Sequence, residues 1–177
     1  MQKIILLVLF LSIGMTIQAQ WNKVKSTSVT FKIKNAGIGV DGKFVKMNTQ
    51  ITIDESNPSK SSFLGTIEAN SINTGINLRD NHLKDKEEFF NTSKYPTMTM
   101  KSVNVVQKSA GIYTVTWDLT MKGVARRFSS EVITKIEGGN LIASTQFKIN
   151  RNDWNLGGNS MTMGDAVTVK INSILTK

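Results

Sequence analysis

His82 is the one histidine of a chain that has no cysteine, so any acid–base or nucleophilic chemistry has to be assembled around it. Asp80 precedes it closely and Ser71 lies a short way upstream. A serine nucleophile needs a base, and that base needs an acid to orient it. Together the three side chains would describe a hydrolase acting on a lipid substrate near His82. No nucleophile turn accompanies Ser71, and a lone histidine in a charged stretch reads as a capping or bridging residue. One histidine with scattered carboxylates supplies no ligand pair at metal-binding spacing, and the missing cysteines remove thiolate chemistry and disulfides. No catalytic residue, metal or cofactor is expected. Two charged pairs remain. Arg79 with Asp80 reads as an ion pair anchoring its segment, with Arg79 also a candidate contact for the polar head of a bound molecule. Arg151 with Asp153 reads as scaffold, since a buried arginine needs a partner with or without a ligand.

The elements that must position these groups are strands. Val29, Phe31 and Ile33 alternate with Thr30, Lys32 and Lys34. Tyr113, Val115, Trp117, Leu119 and Met121 alternate with Thr114, Thr116, Asp118 and Thr120. A period of two marks half-buried strands with one wet face. The pattern recurs at Met47–Ile53, Phe63–Ala69, Met98–Val105, Phe128–Ile133, Leu141–Ile149 and Ala166–Ile174, with turn signals between, which makes about eight antiparallel strands. Alternation fails from Thr74 to Tyr95. There a charged stretch ending in Phe89-Phe90 predicts one or two short helices, with Asn77 or Asp80 as N-cap and Pro96 enforcing an exit into the next strand.

With 177 residues, 40% hydrophobic and 20% charged, the chain is expected to hold one globular domain. Met1-Gln2-Lys3, the apolar run Ile4–Ile13 and Ala19 before Gln20 predict a secretory signal peptide over 1–19 and a domain over 20–177, although Ile17 is bulky for a cleavage site. The alternative is a retained amino-terminal anchor. The expected location is periplasmic or secreted. The net charge of +9 comes from scattered lysines that mostly alternate with apolar residues, the solvated face of strands. The aromatic-interleaved patch of a nucleic-acid binder is missing, so no nucleic-acid partner is expected.

Alternation by itself does not choose between a barrel and a sandwich. The inward candidates include Phe31, Phe44, Met47, Phe63, Phe89, Phe90, Met98, Met100, Trp117, Phe147, Trp154, Met161 and Met163, a large, soft apolar set. Methionine adapts to irregular shapes and suits surfaces that accommodate a flexible partner. The alternative is a structural β-domain in which the same side chains fill the core.

Arg79-Asp80, His82-Leu83, Phe89-Phe90, Tyr95-Pro96, Leu119-Thr120-Met121-Lys122-Gly123-Val124 and Ile149-Asn150-Arg151-Asn152-Asp153-Trp154 follow one another in an order that resembles the YceI-like family. Ser28-Val29-Thr30-Phe31, Gly42-Lys43-Phe44 and Ser71-Ile72-Asn73-Thr74-Gly75 extend the resemblance over the whole domain. It implies an all-β fold, an extended eight-stranded antiparallel barrel of lipocalin-like form, and a non-enzymatic protein that sequesters or transports a long-chain isoprenoid-like amphiphile. The expected apolar lining is Phe31, Ile33, Phe44, Met47, Phe63, Ile67, Leu83, Phe89, Phe90, Met98, Met100, Trp117, Leu119, Phe147 and Trp154. The expected partners are a long-chain lipid and, transiently, a membrane surface, for a monomer or homodimer. Two positions depart from the family pattern. Asn35 stands where a histidine is frequent, and Thr116-Trp117-Asp118 replaces a small pair containing glycine, so an inward Trp117 would narrow the tunnel.

Overall fold

The computed structural model describes residues 20–177; the expected signal peptide, residues 1–19, lies outside the described residues. One antiparallel sheet contains every strand of the described residues: β1 (Lys23–Asn35), β2 (Ile38–Phe44), β3 (Met47–Thr52), β4 (Ser62–Glu68), β5 (Ile72–Asn73), β6 (Thr97–Ser109), β7 (Ile112–Met121), β8 (Val124–Glu137), β9 (Asn140–Asn150) and β10 (Ala166–Thr176). Its order is β3-β4-β6-β7-β8-β9-β10-β1-β2-β5. The only α-helix among the described residues is α1 (Asn77–Asp85).

The sheet has ten strands, not the expected eight. β2 and β5 are the additions, and both escape alternation for physical reasons. β2 carries Gly42 in its inward row, between Val40 and Phe44, where an apolar residue would signal a strand, yet it pairs along β1 from Val29↔Phe44 to Asn35↔Ile38. Gly42 pairs with Phe31, whose ring lies over it, and a Cβ at Gly42 would sit 2.2 Å from Phe31 Cζ. The glycine is there to seat the ring. β5 is only two residues, held on Lys43 and Phe44.

The sheet curls into a barrel whose ladder is incomplete between β1 and β3. Trp21 and Ile53 exchange backbone hydrogen bonds of 3.2 and 2.9 Å just beyond the two strands. Above that bridge, the seam is spanned by the hydroxyls of Thr27 and Thr49, 3.0 Å apart. Two apolar clusters fill the interior. The first, around Trp21, Ile53, Tyr113, Val115, Trp117, Leu141 and Leu175, packs one end solid. The second, around Val29, Phe44, Ile72, Met98, Met121 and Trp154, lies toward α1 and is looser, with many half-buried side chains against it. The whole ladder and both clusters lie between Trp21 and Thr176.

One short helix serves the 74–95 segment, followed by turns in place of a second helix. Neither expected cap is used. Ile76 occupies the N-cap position and makes no side-chain cap hydrogen bond. Asp80 instead reaches back from the first turn to accept from the Thr74 amide at 2.9 Å and from the Thr74 hydroxyl. The helix has no apolar stripe, Leu78 being exposed and Leu83 half-buried. These polar anchors hold it in place of a buried face.

Candidate functional site

Strand alternation places one residue in two inside the curl, and those inward rows line two apolar cavities along its axis. The deeper is about 140 Å³ and is bounded by Ile51, Phe63, Trp117, Val132, Ala143 and Phe147. The other, about 170 Å³, opens toward α1 and is bounded by Phe31, Ile33, Leu83, Phe89, Phe90, Leu156 and Met163. Each is roughly ten times the ~10–15 Å³ that holds one water, so neither is a packing defect. Val29, Phe44, Met98, Met121, Ile149 and Val169 line both, forming a shared waist.

Trp117 is the floor of the deeper cavity. It is 4% exposed, its ring meets Phe63 edge-on with centroids 5.5 Å apart, and its Nε1 donates to Ser130 Oγ at 2.8 Å. The inward tryptophan therefore ends the tunnel where smaller residues would extend it. The few polar groups at this depth satisfy one another. Thr27 Oγ1 lies 3.0 Å from both Thr49 Oγ1 and Ser173 Oγ, and Ser130 Oγ lies 3.0 Å from Thr145 Oγ1. An apolar occupant would break none of these bonds.

The mouth is built by the 74–95 segment and the loop after Arg151. Phe90 packs edge-on against Phe44 at 5.9 Å, and its amide donates to Leu83 O at 3.0 Å. The Gly157 amide donates to Glu88 O at 2.6 Å, and Lys122 Nζ donates to Glu87 O at 2.8 Å and to Asn155 O at 2.9 Å. Burial holds the Lys122 ammonium below the usual lysine range.

Arg79 does not pair with Asp80. Its Nε donates to Thr74 Oγ1 at 2.7 Å and Nη2 to Thr74 O at 2.7 Å, while Asp80 accepts from the other side of the same threonine. Thr74 is thus the hub that the two charges share, and the Arg79 side chain lines the mouth cavity. Arg151 is 3% exposed and does not use Asp153, which is exposed. It donates to the carbonyls of Leu156 (2.6 Å), Gly158 (2.9 Å), Gly164 (3.2 Å) and Met163 (3.3 Å), and to Asp165 Oδ1 (3.0 Å). The scaffold reading of Arg151 holds with Asp165 as its partner.

Of the expected lining, Phe31, Ile33, Leu83, Phe89 and Phe90 face the mouth cavity. Met47, Phe63, Ile67, Met100, Trp117, Leu119 and Phe147 face the deep one, and Phe44 and Met98 face both. Trp154 lines neither. It is a buried member of the second apolar cluster, with Nε1 donating to Leu119 O at 3.2 Å. Met161 is fully exposed. The waist residues Val29, Met121, Ile149 and Val169 were not singled out as lining, although they sit in phase with Phe31, Leu119 and Phe147. His82 is exposed and makes no side-chain hydrogen bond among the described residues. Ser71 Oγ donates to Glu68 O at 2.7 Å and accepts from the Lys46 amide at 3.1 Å, which commits it to the β4–β5 turn.

The fold and cavities define a lipocalin-like antiparallel barrel with an apolar interior. The chain belongs to the YceI-like family: a sequence model of the YceI-like domain matches residues 21–174. A UPF0312 protein of Yersinia enterocolitica is 36% identical over 104 residues, 58% of this chain and 53% of that protein. Protein YceI of Escherichia coli is 35% identical over 104 residues, with the same shares of 58% and 53%. The match spans about half the length of these relatives. Among solved structures, BcnA of Burkholderia cenocepacia superimposes with a TM-score of 0.80 at 23% identity, covering 85% of this chain and 96% of BcnA. A polyisoprenoid binding domain from Saccharophagus degradans implicated in plant cell wall breakdown gives 0.67 at 16% identity, covering 89% and 98%. At these identities the likeness is one of fold.

Proposed function

We propose that the protein is a non-enzymatic carrier or store for one long-chain, isoprenoid-like amphiphile, held along the barrel axis in an extracytoplasmic compartment. The observation that carries this reading is the pair of apolar cavities set along the barrel axis, which share six lining residues at one waist. A slender chain threads such a shape, whereas a globular solute does not. Each covered CH₂ contributes about 0.8 kcal/mol, so a long hydrocarbon gains a large driving force without a specific hydrogen bond. The polar end would lie at the mouth, where Arg79 is the cationic residue of the helix that lines the cavity. The polyisoprenoid-binding domain of Saccharophagus degradans has the same fold, which supports the same ligand class here. The apolar run before Gln20 supports export.

Organic extraction of the natively purified protein, followed by mass spectrometry, should yield a long-chain lipid at close to one per chain. A clean extract would sink the reading in favour of a filled structural core. His82→Ala should leave the yield unchanged, because the side chain is exposed and lines neither cavity. A hydrolytic turnover that disappears with His82 would favour an enzyme instead. Trp117→Ala removes the floor. It should lower stability by about 3–5 kcal/mol, as large-to-small core changes do, and shift the extracted pool toward longer chains, which the same mass spectra would show.

A further inference from the structure

Large apolar side chains ring the mouth uncovered. Ile38, at the β1–β2 turn, is 71% exposed, Leu78 on the first turn of α1 is 67% exposed, and Met161 is fully exposed. Ile76 stands beside them at 53%. The turn and the Met161 loop are tied together, since the Ala36 amide donates to Thr162 O at 2.8 Å and Asn35 bridges Met163. Asn35, Thr74, Arg79 and Met163 all face the mouth cavity, so these protrusions surround one opening. Single exposed apolar residues are ordinary, but several gathered on one rim mark an interaction surface.

Charge is arranged to one side of this rim. The outward rows of β2, β1, β10 and β9 pair Lys43–Thr30–Lys170–Gln146 and Asp41–Lys32–Thr168–Lys148. Lys34 follows at the mouth. All five lysines are exposed. The carboxylate within this face, Asp41, is 3.3 Å from Lys32. The remaining acidic groups near the mouth lie elsewhere. Asp80 is buried against Thr74, Asp85, Glu87 and Glu88 lie further along the 74–95 segment, the last two near Lys122, and Asp165 is held by Arg151.

We propose that this rim and its lysine face dock the barrel on an anionic phospholipid bilayer, mouth down and leaning on β1 and β2. The apolar groups are on the tips of a turn, a helix start and a loop. The lysines are set back along the strands at about 3.3 Å per residue. That is the depth order in which protruding side chains reach the acyl boundary while ammonium groups remain among anionic headgroups. A protein partner would be matched better by a flat, continuous apolar patch than by separated tips. The orientation of the mouth toward the bilayer rests on the carrier reading; the docking itself does not.

The purified protein should co-sediment with vesicles of phosphatidylcholine mixed equally with phosphatidylglycerol, more weakly with phosphatidylcholine alone, and less as salt rises. Leu78→Ser with Met161→Ser should lower partitioning at least about tenfold, and so should Lys34→Gln with Lys170→Gln. None of these side chains lines either cavity, so extracted lipid should stay at the parent level in both variants. Absence of binding, equal binding to the two vesicle types, or variants that bind as the parent does would overturn the docking surface. Vesicle binding by a parent protein that yields no lipid would sink the carrier reading and leave the docking surface standing.

Discussion

Val169→Phe is expected to cut lipid retention by at least roughly fifty-fold while leaving the ligand-free protein as stable as before or slightly more so. Val169 belongs to the waist, paired with Phe31 on one side and Phe147 on the other, and it borders both cavities. A phenyl ring there fills space that is empty in this structure and brings no polar atom that would need a partner. Filling a true void recovers dispersion contacts, whereas the same ring forced into a packed core costs about 1–3 kcal/mol. The sign of the stability change thus separates a tunnel from a filled core without knowledge of the ligand. On the binding side, a blocked waist uncovers whatever part of the chain lay beyond it. Three displaced CH₂ groups at about 0.8 kcal/mol each already amount to the fifty-fold loss, and a longer tail loses more. Denaturant unfolding of the stripped protein, alongside quantitative extraction of the native one, reads both quantities. A stability loss above about 1 kcal/mol together with undiminished lipid would show that the waist is neither empty nor traversed.

Inward rows of this kind were readable from the sequence wherever a strand keeps its period. Tyr113 to Met121 alternates without a break, and the structure buries Tyr113, Val115, Trp117 and Met121 as that alternation requires. β2 was legible only through the family resemblance at Gly42-Lys43-Phe44 and not through its period. Its strand character depends on Phe31 of the neighbouring strand lying over Gly42, a relation between strands that no local window contains. The two charged pairs fail for a related reason. Adjacency in sequence suggested Arg79 with Asp80 and Arg151 with Asp153, but a helix turn and a 3₁₀ turn send adjacent side chains in different directions. Arg79 and Asp80 meet only through Thr74, and Arg151 finds Asp165 across a loop. Trp154 shows the limit of composition. The large aromatic is interior as its composition suggests, but its one polar atom is held by Leu119 O and the ring borders neither cavity. The incomplete ladder between β1 and β3 was likewise invisible, because the Thr27–Thr49 contact replaces backbone pairing that alternation would have assumed.

Arg151→Met should be the most destabilising single change outside the apolar core. The guanidinium is the sole side-chain donor to the carbonyls of Leu156, Gly158, Met163 and Gly164 among the described residues, and it also meets Asp165. Methionine keeps the stem's apolar cover and removes every donor at once. Carbonyls left without partners in a buried setting cost about 1–3 kcal/mol apiece, though loop relaxation and water recover part of that. A net loss of about 3–5 kcal/mol follows, which for a domain of this size lowers the melting temperature by about 10 °C or more. Arg151→Lys should recover only a fraction, because a single ammonium cannot reach carbonyls spread around a planar fork. The consequence extends to the mouth. Gly157 approaches Arg151 so closely that a Cβ would lie 3.2 Å from its Nη1 and 2.0 Å from Met163 Cε, and the Gly157 amide is the bond that joins this loop to Glu88 on the lid. Loss of the arginine therefore loosens both walls of the mouth cavity together. Bound lipid should exchange into acceptor vesicles faster from Arg151→Met, at a temperature where the variant is still folded. Unchanged exchange with a lowered melting temperature would confine Arg151 to the stability of its own loop.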